Sequence, residues 1–119
     1  METYTYPDLY NRLNLETLIL IFYKGNGEIR VMLGTRNNIT LDLAGNDLNY
    51  ELHGIDNRCS INNGNIGVID LELGEARSFK PERTVQVYSV GIVDTPELLK
   101  TTLEKFKEFK EQYKTAIKE

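Results

Sequence analysis

The stretch "GEARSFKPER", residues 74–83, sets two arginines and two glutamates around one phenylalanine. A guanidinium is a planar fork of N–H donors, and it takes a phosphate or a carboxylate through two bonds at once. Two chemistries are therefore open to Arg77 and Arg83. They either grip a phosphate-bearing ligand or pair locally, Arg77 with Asp70 or Glu75 and Arg83 with Glu82 or Glu72. Exposed pairs of the second kind contribute only about 0–1 kcal/mol. Residue types alone leave both readings open.

Other candidate chemistry is thinner. The sole histidine, His53, lies in "YELHGID" near Glu51 and Asp56. An imidazole beside carboxylates can act as a general base, but a turn-rich segment equally suits a surface residue. Cys59 follows Arg58, a cation that would lower its pKa; a lone thiol without a nearby histidine also suits a small buried residue. One Cys and one His do not build a zinc cluster. Neither "GNGE" nor "NNGN" leads into the Gly-Lys-Ser/Thr of a phosphate loop. Asp42, Asp47, Asp56 and Asp70 fall in different elements, so no calcium loop is expected. No catalytic residue, metal or cofactor is expected.

The elements that must position the arginines follow from the apolar pattern. Pro7, Asp8 and the spacing of Leu9, Tyr10 and Leu13 predict a short helix within 5–16. "TLILIFYKGNGEIRVMLGT", residues 17–35, is an apolar run, a Gly-Asn-Gly turn and an alternating run, which predicts a hairpin. In 36–65, Ile39, Leu41 and Leu43 alternate, as do Leu48, Tyr50 and Leu52 around "AGND", predicting a second, smaller hairpin. Residues 66–93 read as strand, tight turn, strand, break at Pro81, strand. With strands at 70–73 and 76–80, Arg77 and Phe79 share one face, and Phe79 belongs to the core. The apolar phase slips between Val85/Val87 and Tyr88/Val90/Ile92, which implies a bulge or bend. Residues 95–118 form a helix opened by Thr95, Pro96 and Glu97.

Two of these segments resemble the WYL-like, Sm-fold family of small tailed-phage proteins. The first motif is carried by Lys24, Gly27, Arg30, Met32, Thr35 and Arg36, the second by Val68, Asp70, Leu71, Gly74, Arg77, Ser78, Phe79 and Arg83. The resemblance covers roughly residues 18–92, with 37–65 outside the match. It implies a small SH3-like or Sm-like β-barrel of about five strands, a phage origin and no enzymatic activity. The short N-terminal helix of the barrel domain, 1–94, and the long amphipathic helix over 95–119 are read from the residues, the latter outside the resemblance, and the whole is expected to be mainly β with α. Related regulator domains are similar to ligand sensors that hold nucleotide or single-stranded nucleic acid on arginines. In such a barrel Arg30, Arg36, Arg77 and Arg83 come from neighbouring strands and would converge on one ligand.

Composition narrows the partners. The net charge of −4 gives the whole molecule no attraction for polyanions, so a nucleotide or nucleic acid needs a local basic patch. A compact ligand is favoured over a long duplex for the same reason. The start "METYTYPDLY" lacks a basic region leading into an apolar run, and "LILIFY" is too short to span a bilayer. With a single cysteine, the chain is expected in the host cytoplasm and not in a membrane. Its expected role is host takeover or counter-defence, either by holding a nucleotide-type or nucleic-acid ligand or by capturing and inhibiting a host protein. The C-terminal helix runs to about 36 Å, against about 25 Å for a barrel of this size. The first half of the helix is expected to pack on the barrel and the second half, with Phe109, Tyr113 and Ile117, to overhang, so that the stripe of Leu99, Leu103, Phe106, Tyr113 and Ile117 pairs with a second copy.

Overall fold

The apolar run after Thr17 becomes strand β1 (Thr17–Tyr23), and it is unbroken because both faces of its sheet are covered. Leu18, Leu20 and Phe22 enter one core cluster, and Ile19 and Ile21 enter the other. The structure is a computed structural model describing residues 3–45 and 47–118, with residues 115–118 described by backbone alone.

Helix α1 (Tyr6–Leu15) starts where the Thr5 hydroxyl accepts the Asp8 N–H at 3.3 Å, and it buries Leu9 and Leu13. The Gly-Asn-Gly hairpin forms as expected between β1 and β2 (Ile29–Thr35), with Gly27 at φ 87°. The second hairpin does not form. Its place is taken by two helices, α2 (Asn38–Ala44), capped by Asn37, and α3 (Leu48–Asp56). The residues that reach the core are Leu41, Ala44, Leu48, Leu52 and Ile55, at helical spacing, while Ile39 and Tyr50 are exposed. In windows this short, apolar periods of two and of 3.6 overlap, and Asn37 decides by capping a helix.

Strand β3 (Ile66–Asp70) is displaced from the expected 70–73, and β4 (Glu75–Phe79) starts one residue early. The turn between them is Leu71–Gly74. Asp70 closes it: its carbonyl accepts the Gly74 N–H at 2.8 Å, and its carboxylate accepts the Leu73 N–H at 3.1 Å. A 3₁₀ turn at Pro81–Arg83 leads into β5 (Thr84–Gly91). All pairings are antiparallel, in the order β4-β3-β2-β1-β5, so the sheet is open, with β4 and β5 as its edges. The expected irregularity is present: the β1–β5 register shifts between Thr17 and Leu18 and again between Ile21 and Phe22. The apolar phase changes for a further reason. Val87 packs on one core and Val90 on the other, since β5 too serves both faces.

Phe22 and Phe79 lie with ring centroids 5.5 Å apart, although β1 and β4 are separated by two strands. In a flat sheet they would be roughly 14 Å apart, three strand spacings. The sheet therefore curls over its first core, and α1 covers that core with Leu9 and Leu13.

Helix α4 (Pro96–Lys118) begins where the Thr95 hydroxyl accepts the Leu98 N–H at 3.1 Å. Four members of its stripe pack within the chain. Phe106 is 2% exposed in the second core, and Leu99, Leu103, Phe109 and Tyr113 pack against that core. Phe109 meets Tyr88 edge-on at 5.3 Å, and Lys110 meets Glu72 at 2.7 Å. The overhang expected of Phe109 and Tyr113 does not occur, because the helix runs along the second face of the sheet, covered beside it by α2 and α3. The side chain of Ile117 lies outside the described residues.

Candidate anion-binding site

The four arginines do not converge. Arg36 follows β2 and is 6% exposed at the junction of α1, α3 and β3. Its Nε donates to Asn14 Oδ1 at 3.0 Å. One terminal nitrogen donates to Asp56 Oδ1 at 2.7 Å and the Gly67 carbonyl at 2.6 Å. The other donates to Asp56 Oδ2 at 2.9 Å and the Tyr10 hydroxyl at 3.2 Å. The Tyr10 ring lies under the guanidinium at 4.4 Å. A guanidinium has five N–H donors, and all five are taken. Burial opposes the Arg36 charge, yet the hydrogen bond and charge of Asp56 outweigh it and raise the Arg36 pKa. Arg36 is a structural strut with no donor left for a ligand.

Arg77 pairs locally. Its Nη2 donates to Glu75 Oε2 at 2.9 Å, and its Nε lies 3.6 Å from Asp70 Oδ2. Burial pushes the Asp70 carboxyl above its ordinary value, against the Leu73 N–H and Arg77, which pull it down.

Arg30 and Arg83 do come together. Register pairs Arg30 with Phe22, so it stands on the concave face, at the hairpin end of the curled sheet. Arg83 ends the 3₁₀ turn and reaches across to the hairpin, where its guanidinium lies 3.8 Å from the position a Gly25 Cβ would occupy. Between them is a pocket of about 220 Å³ based on Phe22 and Phe79 and bordered by Lys24, Arg30, Lys80 and Arg83. Among the described residues, no carboxylate lines it. Lys24 makes a loose pair with Glu28 at 3.6 Å, and Lys80 donates to the Asn63 carbonyl at 2.9 Å. Among the described residues, no ion pair or side-chain hydrogen bond involves Arg30 or Arg83. Arg83 does not meet Glu82 or Glu72; Glu72 is held by Lys110 instead.

Lys24 and Lys80 are the members that the arginine pattern misses. Their signal is a repeated arrangement: Phe22, Lys24 and Arg30 on the hairpin are matched by Phe79, Lys80 and Arg83 at the β4 end. Each buried ring is followed within two residues by a lysine and then by an arginine, and the curl stacks the two sets.

The remaining candidates stay apart. His53 is exposed on α3 and makes no side-chain hydrogen bond to Glu51 or Asp56, whose carboxylate Arg36 already holds. It borders a broad polar hollow of about 640 Å³ with Asp42 and Asn49, which bond to each other at 2.6 Å. Burial, aided by the Asp56 charge, raises the Cys59 pKa and outweighs the expected effect of Arg58. Among the described residues, no group of three or more His, Cys, Asp or Glu is placed to hold a metal ion. No helix among them is long and apolar enough to cross a membrane.

Comparison with known proteins identifies no relative: no family model matches the chain, no curated protein matches it, and no solved structure matches it.

Proposed function

We propose that this chain is a non-catalytic binding protein that takes a phosphate-bearing ligand, a nucleotide or short nucleic acid, in the pocket bordered by Lys24, Arg30, Lys80 and Arg83. The observation that carries this reading is charge placement. Two guanidiniums without carboxylate partners among the described residues and two lysines border one concave site in a chain of net charge −4. Holding four cations together is unfavourable by mutual repulsion, and partial burial of Arg30 adds a desolvation cost. An anion offsets both terms. The forked geometry of Arg30 and Arg83 suits a phosphate, and the size of the pocket suits a phosphate with its sugar better than an enclosed drug-sized ligand.

The finer architecture in this reading is an Sm-like barrel open between β4 and β5. Its support is the curl that joins Phe22 to Phe79, the short 3₁₀ link and the helix α1 across the first core. The likeness of the two motifs to the WYL-like phage family supports a role in host takeover or counter-defence.

Calorimetric titration with nucleoside mono- and diphosphates tests the reading. Binding is expected at low salt and should weaken as salt rises. Hydrogen bonds to charged groups contribute about 1.5–3 kcal/mol each. Arg30→Ala combined with Arg83→Ala should therefore weaken binding by about 100-fold or more. Unchanged affinity in the double variant, or no affinity at low salt for nucleotides or short oligonucleotides, would overturn the proposal.

A further inference from the structure

The second core is not sealed along the whole of α4. Between that helix and the sheet lies a hollow of about 400 Å³. Its floor is Ile19, Leu33 and Val90, one each from β1, β2 and β5. Its wall is Leu98, Phe106 and Phe109 of α4. The hollow reaches the core itself, since Leu33 is 0% and Phe106 2% exposed. Tyr88 of β5 meets the Phe109 ring edge-on and fixes that part of the wall. The helix members run from Leu98 to Phe109, about 16 Å of α4, so the hollow is elongated.

All six of those side chains are apolar. The polar members are Thr101, Thr102 and Lys105. Thr101 and Lys105 are exposed and Thr102 is half-buried, so the polar groups stand at the mouth. Among the described residues, Lys105 is the one charged side chain that lines the hollow, and no carboxylate does. Among them, too, no ion pair or side-chain hydrogen bond involves Lys105. A concave apolar site with a few polar groups, within about 300–1,000 Å³, is the usual form of a small-molecule site.

The lining selects the ligand. A chain of methylenes gains by leaving water for such a floor. A lone ammonium balances a single negative charge, and the threonine hydroxyls can donate to the same anion. A dianionic phosphate would bring more charge than Lys105 can balance, and a cationic head would meet Lys105 with no carboxylate to hold it.

We infer that the hollow between α4 and the sheet binds a medium-chain amphiphilic carboxylate. The acyl chain lies along Ile19, Val90 and Phe109. The carboxylate stays at the mouth, on Lys105 and a hydroxyl of Thr101 or Thr102. The site belongs to the second core, whereas the basic pocket is based on Phe22 and Phe79 of the first, so this inference stands apart from the phosphate-site reading.

Methyl-detected NMR titration of the full chain with butanoate, hexanoate and octanoate tests it, with 1-octanol and octylammonium as head-group controls. Affinity is expected to rise about fourfold per added methylene, the gain from burying one CH₂. Methyl shifts should centre on Ile19, Leu33, Val90 and Leu98. Both controls should bind about tenfold more weakly than octanoate, or worse, because a hydrogen-bonded charge is lost. Lys105→Gln should bring octanoate down to the affinity of octanol, and Lys105 is exposed, so the core is not disturbed. Thr102→Trp should block all the ligands by filling the mouth; if that variant does not fold, Lys105→Gln still decides. Arg30→Ala combined with Arg83→Ala should leave octanoate binding unchanged. No shift at the lining methyls under millimolar octanoate, or equal affinity for octanoate and octanol, would overturn the inference. Loss of octanoate binding in the double arginine variant would place the carboxylate in the basic pocket and overturn it as well. Shifts at Val90 and Leu98 on dilution without ligand would seat a second copy there and have the same consequence.

Discussion

Replacing Arg36 with methionine is expected to lower folding stability by about 3 kcal/mol and to leave ligand affinity unchanged. Breaking a buried ion pair by removing one partner costs about 3–5 kcal/mol. The lower end applies because the Asp56 side chain is 35% exposed and recovers some hydration. The change leaves the Asp56 carboxylate, Asn14 Oδ1 and the Gly67 carbonyl without their shared donor. It also disconnects three elements, since the guanidinium ties α1 to α3 and β3. Arg36→Lys should rescue little, because a single ammonium cannot reproduce the fork or stack on Tyr10 in the same way. Urea denaturation measures the loss, and the thermal midpoint should fall by on the order of 10 °C. Normal stability with lost affinity would place Arg36 in the ligand site and contradict its role as a strut.

Phe106→Ala is expected to cost about 3–5 kcal/mol, the range for truncating a large buried aromatic side chain. Phe106 is the most deeply buried part of the α4 stripe, and it seals the second core over Ile21, Leu33 and Ile69. The folding midpoint of the wild type should not depend on protein concentration, because Leu99, Leu103, Phe106 and Tyr113 of the stripe pack within one chain. A pairing helix would behave differently: Phe106→Ala would shift the midpoint only where copies associate, and the midpoint would rise with concentration. Denaturation at low and high micromolar protein distinguishes these outcomes.

Some of this structure is legible in the chain because local chemistry decides it. The Gly-Asn-Gly turn takes a positive φ at Gly27, and Thr95-Pro96-Glu97 favours the start of a helix, with Thr95 capping α4. Other parts depend on contacts distant in sequence. The stretch around Leu41 and Leu48 satisfies two periodicities, and the Asn37 cap together with burial in the second core selects the helices. Arg36 illustrates the same limit for function. Its partner Asp56 lies 20 residues later, on α3, where a hairpin was expected, so nothing local distinguishes Arg36 from Arg30. Arg77 is simpler, because its carboxylates flank it across the β3–β4 turn, and the local pairing is the one found. Lys24 and Lys80 become visible only after the curl places their two segments together.

The most direct measurement is ¹⁵N-detected NMR of the arginine Nε–H groups during titration with a 5′-phosphorylated thymidylate tetramer. Each of the four candidate arginines then reports separately, without mutation. Shifts at Arg30 and Arg83 that saturate together, with Arg36 and Arg77 unmoved, are the expected result. Shifts centred on Arg36 or Arg77, or no shift at Arg30 and Arg83 under saturating ligand, would contradict an anion site at the open end of the curled sheet.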